Sequence, residues 1–426
     1  MDFRTTSSRE LREYKAGLLA RYQAAQARNL VIDMTRGKPS PEQLDLSMEL
    51  LQTVNSDHYR ASNGVDCRNY GGLDGIPEAK DLFSQYLGVE PQEIIIGGNS
   101  SLNMMYDAMV RAMLYGVVDS GVPWGTLPRV QWLCPSPGYD RHFSVCEHLG
   151  IEMLPIEMGP DGPDMAEVER LAAGDETVKG IWCVPKYSNP TGVVYSDEVV
   201  ERLARMRTAA ADFCIFWDNA YAVHHLDGTI APLKNILAAC KAAGNPNRVL
   251  LFGSTSKISF AASGVAMMGG SEATIELAKR HMSYQTIGPD KLNQLRHVRF
   301  FGDLAGIEAH MRKHAAILRP KFDAVLEVLE RELAGKNIAT WSRPAGGYFI
   351  SLDTLDGCAK AVVAMAAEAG VKLTAAGATF PYKCDPRDRN IRLAPSLPST
   401  EDIRSAMEVV AICIQLVSLD KVLATG

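Results

Sequence analysis

The chain has 426 residues, of which 46% are hydrophobic and 22% charged, and 44 Lys+Arg against 50 Asp+Glu leave a formal net charge of −6. That length and apolar content suit two or three globular domains and exclude a disordered chain. An acidic balance without Lys/Arg runs argues against nucleic acid or an anionic membrane as partner, and no stretch approaches the roughly 20 apolar residues that span a bilayer.

In chain order, residues 1–25 lack the apolar core of a secretory signal, and Leu11, Leu18, Leu19 and Tyr22 predict an amphipathic helix. A cytoplasmic protein is expected. Gly37, Pro39 and Pro41 break regular structure at Arg36–Pro41. Short apolar runs then predict buried strands at Glu93–Ile96, Val130–Cys134, Gly180–Val184, Phe213–Trp217, Val249–Phe252 and Gly264–Met268, with helical stretches such as Ser196–Ala211 between most of them. The alternation implies an α/β fold with a mostly parallel central sheet covered by helices. Beyond residue 300 the pattern changes to a long helix over 305–335 and strands at Tyr348–Leu352, Lys372–Thr374 and Ile391–Leu393, a smaller α+β unit. The expected division is a large domain at 48–300 and a small one built from 1–47 and 301–426. Nine cysteines stand singly, without paired spacing, so core thiols are expected and no metal site.

In an open α/β sheet, ligands sit beyond the carboxyl ends of the strands. Those ends carry Gly97-Gly98-Asn99-Ser100-Ser101 at a helix start, Pro135-Ser136-Pro137-Gly138-Tyr139, Pro185-Lys186-Tyr187-Ser188-Asn189-Pro190-Thr191-Gly192, Asp218-Asn219-Ala220-Tyr221 and Gly253-Ser254-Thr255-Ser256-Lys257. Singly, each is an ordinary turn or cap. Together they offer a phosphate cradle, an aromatic plate, an amide, a carboxylate and a lysine, the parts that hold pyridoxal 5'-phosphate. Neither GxGxxG nor a Walker loop is present.

From about residue 33 to 396 the ordered series resembles the fold-type I, class I aminotransferases. Asn189-Pro190-Thr191-Gly192 is similar to their NPTG turn, Ser254-Thr255-Ser256-Lys257 to their lysine motif, and Tyr70 to Glu78 to their Y-x-x-x-x-G-[LI]-P-E segment. Gly346-Gly347-Tyr348-Phe349 and Ile391-Arg392-Leu393 resemble two later strands. Thr35-Arg36-Gly37-Lys38-Pro39 and Ile287–Leu295 are similar to a divergent bacterial aspartate aminotransferase branch.

The resemblance implies roles. Lys257 bonds to pyridoxal phosphate and shuttles a proton, Asp218 pairs with the ring nitrogen, and Tyr221 and Asn189 hydrogen-bond the ring oxygen. Tyr139 stacks on the ring, and Asn99, Ser100, Ser101 and Ser254 bind phosphate, with Tyr70 reaching in from a second subunit of a homodimer. Arg392 takes the substrate α-carboxylate with Asn189 and Gly37, and Arg36 or Lys38 is the candidate for a second carboxylate. The family's arginine eight residues past the lysine is absent: Val265 stands there, and Ser259, Ser263 or a lysine from the second subunit such as Lys291 are the substitutes considered. The expected activity is amino transfer between L-aspartate and 2-oxoglutarate. The alternatives are an aromatic or kynurenine-type aminotransferase, a β-lyase, or a cofactor-binding regulatory protein.

Overall fold

Strands that are apolar on both faces need cover on both sides, and the computed structural model, which describes residues 1–425, provides it. Numbered in chain order, the strands are β1 (Ile32–Asp33), β2 (Ile94–Ile96), β3 (Gln131–Ser136), β4 (Glu152–Gly159), β5 (Gly162–Pro163), β6 (Val178–Cys183), β7 (Cys214–Asp218), β8 (Val249–Ser254), β9 (Ala266–Gly269), β10 (Ala339–Trp341), β11 (Ile350–Thr354), β12 (Val371–Lys372) and β13 (Asn390–Leu393). Eight form one sheet in the order β2-β9-β8-β7-β6-β3-β4-β5. Its centre, β4-β3-β6-β7-β8, is parallel, β9 runs antiparallel to β8 and β2, and β5 is antiparallel to β4. The fold is α/β with a mostly parallel sheet.

The two faces of this sheet follow from the strand period of two. Ile215 and Trp217 of β7 pack on one side with Ile181, Leu251 and Phe83. Cys214 and Phe216 pack on the other with Trp132, Trp182 and Phe252. A third core joins the helix Ser8–Gln26, through Leu11, Leu18 and Tyr22, to Ile350, Val410 and Phe322. Ser7 and Glu10 form a capping box that starts the first helix. Leu19, expected on its apolar face, is 42% exposed. The helix Leu304–Leu333 bridges the cores, giving Ile307 and Met311 to one and Leu318, Phe322 and Val325 to another.

Some elements differ from expectation. The helix expected over Ser196–Ala211 is Asp197–Arg205. The Arg248 guanidinium supplies its end, donating to the carbonyls of Leu203, Ala204 and Met206 at 3.4, 3.0 and 2.8 Å. Strand β4 went unforeseen because its residues alternate between buried and exposed rather than forming an apolar run. β12 covers Val371–Lys372 rather than Lys372–Thr374, pairing in parallel with β1. β11 begins at Ile350, two residues later than expected, and leaves Tyr348 buried beside His224.

Candidate active site

The carboxyl ends of β3, β6, β7 and β8 and the start of the helix Ser101–Tyr115 converge on a cavity of about 730 Å³. Asp218 closes β7, and its register partner on β8 is Phe252, so Ser254 and Lys257 extend past the same edge. Ser100, Ser101, Tyr139, Asn189, Asp218, Tyr221, Ser254 and Lys257 all line the cavity.

Asp218 is buried. Its Oδ2 lies 3.0 Å from His142 Nε2, whereas Oδ1 is buried with no partner in the described chain. The His142 ring is clamped by Trp182, stacked at 4.3 Å, and by the edge of Tyr139 at 4.9 Å. Burial lowers the pKa of the Lys257 amine from the ordinary lysine value, opposed by the Asp218 carboxylate. The amine lies 5.1 Å from the centre of the Tyr221 ring. Burial, then the neighbouring Tyr139 and Asp218, pushes the Tyr221 hydroxyl well above its usual range, and burial takes Tyr139 to about 12. The Lys257 peptide is held from behind: its carbonyl meets His224 Nε2 at 3.3 Å and accepts from the Tyr348 hydroxyl at 3.4 Å. The Ile258 carbonyl meets His310 Nε2 at 2.9 Å.

The opposite wall carries charge. Arg392, on β13, donates from Nη1 to Asp140 Oδ1 at 2.8 Å and more weakly to Asn189 Oδ1 at 3.4 Å, and from Nη2 to Thr35 O at 3.4 Å and Thr374 Oγ1 at 3.3 Å. Its Nε is buried without a partner. The guanidinium sits 4.9 Å from the centre of the Phe349 ring. Gly37 lies against the other part of that ring, where a Cβ would come within 2.6 Å of Phe349 Cζ. Arg36, Gly37, Lys38 and Arg141 also line the cavity, and none of Arg36, Lys38 and Arg141 has an ion pair or side-chain hydrogen bond among the described residues.

One residue expected in this cavity lies elsewhere, and Tyr70, expected to serve a second subunit, lies outside it. The exposed Asn99 amide donates to Ala262 O at 3.1 Å and lines a neighbouring cavity instead. Tyr70 is 81% exposed on the outside of the chain. Val265 is buried, its N–H donating to Thr255 Oγ1 at 2.8 Å. Of the substitutes considered for the missing arginine within the same chain, neither Ser259 nor Ser263 lines the cavity. Ser259 is bonded to Thr255 and His297, Ser263 is exposed, and Lys291 donates to Asn69 O and Gly71 O at 2.6 and 2.5 Å. Ser256 and Ala261 line that end instead. Sequence reasoning also missed Asp140, Arg141 and His142; their one signal was position, directly after Tyr139.

The donor set suits pyridoxal phosphate. An unpaired buried carboxylate oxygen matches a protonated ring nitrogen, serines at a helix start match a phosphate, and a desolvated lysine matches a carbonyl carbon. Fold and cavity together define a pyridoxal-phosphate-dependent aminotransferase of fold type I. Residues 6–425 match the family described as aspartate amino-transferase, and the chain belongs to it. It is 47% identical over 400 residues to an aspartate aminotransferase of Corynebacterium glutamicum, covering 94% of this chain and 92% of that one. The crystal structure of an aspartate transaminase from Corynebacterium glutamicum superposes with a TM-score of 0.97 at 44% identity, covering 99% of both chains. An α-aminoadipate aminotransferase of Thermus thermophilus, complexed with N-(5'-phosphopyridoxyl)-L-leucine, shares the fold at 20% identity with a TM-score of 0.72, covering 96% of this chain and 98% of that one. The regulatory alternative is set aside. Among the described residues, no helix is long and apolar enough to cross a membrane.

Proposed function

We propose that the enzyme moves the amino group of an acidic L-amino acid, L-aspartate first, to 2-oxoglutarate in two half-reactions. Charge is the observation that carries this reading. Arg36, Lys38 and Arg141 share the cavity with Arg392 and are unpaired, while Asp140 and Asp218 are its two carboxylates. The cofactor phosphate would meet part of that excess, and Arg36 and Lys38, which flank the Gly37 that packs on the Phe349 ring beside Arg392, would be left for a second substrate carboxylate; an aromatic side chain would strand them against apolar surface.

Pyridoxal phosphate, when bound, supplies a conjugated sink for the electrons freed at the substrate Cα. The side chains do the rest. Asp218 would hold the ring nitrogen through Oδ1, and the His142 contact keeps that carboxylate from rotating. Tyr221 and Asn189 would meet the ring oxygen, and Tyr139 its face. Ser100, Ser101 and Ser254, joined by Ser256, would take the phosphate at the start of the helix Ser101–Tyr115. Lys257 would carry the proton: its amine, which burial eases toward neutrality, would accept it from the substrate Cα. Arg392 receives the α-carboxylate beside Asn189 and Gly37, and Arg36 is the first candidate for the distal one.

The working unit in this reading is a homodimer, with Tyr70 reaching the partner's phosphate. Tyr70, Tyr284 and Ile287 are 81, 89 and 63% exposed, an apolar surface that a second copy would cover, and Lys291 pins the loop that presents Tyr70. Nine free cysteines favour a reducing, cytoplasmic setting. The separate cores favour a division into 48–300 and 1–47 with 301–426.

Absorption spectroscopy of the cofactor-loaded protein tests the substrate class. L-Aspartate alone should remove the visible band, and 2-oxoglutarate should restore it. A band that ignores L-aspartate but answers an aromatic amino acid would transfer the assignment to the aromatic alternative. Pyruvate and ammonia released without an acceptor acid would make the enzyme a β-lyase.

A further inference from the structure

Buried guanidinium groups are stable only when paired, and the strongest partner of Arg392 comes from the protein itself. The 2.8 Å bond to Asp140 is shorter than the 3.3–3.4 Å contacts to Asn189, Thr35 and Thr374. The two side chains differ in freedom, Arg392 being 6% and Asp140 33% exposed. Asp140 is thus the member of the pair that can leave. It also has somewhere to go, because it opens the helix Asp140–His148, where the helix dipole favours an anion, and Arg141 beside it is unpaired.

We infer that Asp140 is a displaceable counter-ion of Arg392 and thereby a specificity-determining residue: its carboxylate occupies the guanidinium in the empty site and yields to the substrate's α-carboxylate. The inference rests on the reading of Arg392 as the α-carboxylate site. Two carboxylates on one buried guanidinium repel each other, so each incoming ligand is weakened by the cost of removing Asp140. A ligand recovers that cost only by making more bonds than Asp140 makes. A carboxylate that grips both Nη atoms does so, whereas a monatomic anion such as chloride does not. Asp140 therefore selects two-pronged carboxylates over simple anions, at the expense of affinity for both.

The test is calorimetric titration of the cofactor-loaded enzyme with succinate, an unreactive dicarboxylate, at low and high chloride. In Asp140→Asn, which keeps the shape and removes the charge, the Kd for succinate should fall on the order of tenfold. Chloride should raise that Kd more steeply than in the wild type, and succinate should raise the Tm of the variant by more than that of the parent. Asp140→Ser serves if the first variant folds poorly. Unchanged or weaker succinate binding by a folded variant, with no new chloride sensitivity, would overturn the inference. Arg392→Lys separates the two levels. Weakened succinate binding there, together with an unchanged Asp140→Asn, sinks only the role of Asp140. Wild-type binding by Arg392→Lys sinks the parent reading and this inference with it.

Discussion

Asp218 shows how one side chain serves two masters. One oxygen is fixed by His142, itself stacked on Trp182, while the other faces the cavity unpaired. Replacing it by Ala should leave cofactor attached through Lys257 yet slow turnover by at least 100-fold, measured as the rate of loss of the visible band with L-aspartate. Lys257→Ala should abolish both the covalent cofactor and turnover, while its circular dichroism matches the parent. Turnover retained by Lys257→Ala, or an unchanged rate in Asp218→Ala, would contradict the assigned roles. Lys257 and Asp218 were candidates from the sequence because the ordered series of strand-end motifs that holds them resembles that of the aminotransferases. His142 was not, since its partner stands 76 residues away and only the fold brings them together. Asp140 and Arg141 were hidden for the same reason: on paper they are ordinary first-turn residues of a helix.

At the level of elements, the sequence announces those whose signal is local. Apolar runs foretold β2, β3, β6, β7, β8 and β9, and the long helix expected over 305–335 is seen at Leu304–Leu333. What escaped depends on distant partners. The helix expected over Ser196–Ala211 stops at Arg205 because Arg248, on the far side of β7 in the chain, takes three of its terminal carbonyls. Arg248→Met removes those donors without opening a large hole. It should cost about 2 kcal/mol of stability, seen as a lower urea midpoint with an unchanged slope. An unaltered midpoint would mean that water satisfies the carbonyls equally well.

Across the whole molecule, buried imidazoles join the two regimes of the chain. Burial holds His297 at about 4 and His314 at about 3, against an ordinary value of 6.5. Above pH 6.5 both are neutral whether the chain is folded or not. Below it the unfolded chain binds protons that the folded one refuses, so stability must fall as pH drops from 6.5 toward 4 and then 3. Each contributes a loss of about 1.4 kcal/mol per pH unit in that window. Thermal melts from pH 7.5 to 5 should show the decline, and His314→Gln should make it shallower; equal slopes would refute the attribution. The proposed dimer has its own test. Lys257→Ala and Tyr70→Ala chains, each impaired alone, should regain activity when mixed and reassociated, because one site of each mixed dimer then combines an intact lysine with the partner's Tyr70. No gain over the separate variants would rule out the shared site.

The contact of Gly37 with Phe349 has a practical consequence. A single methyl group added at Gly37 would come within 2.6 Å of the tip of the ring whose centre lies 4.9 Å from the Arg392 guanidinium. Position 37 is therefore a tuning screw: side chains of graded size there would tilt the ring and move the arginine by stages. Anyone wishing to redirect this catalyst to acids of another shape can begin at a residue with no side-chain functional group, without replacing any charged residue.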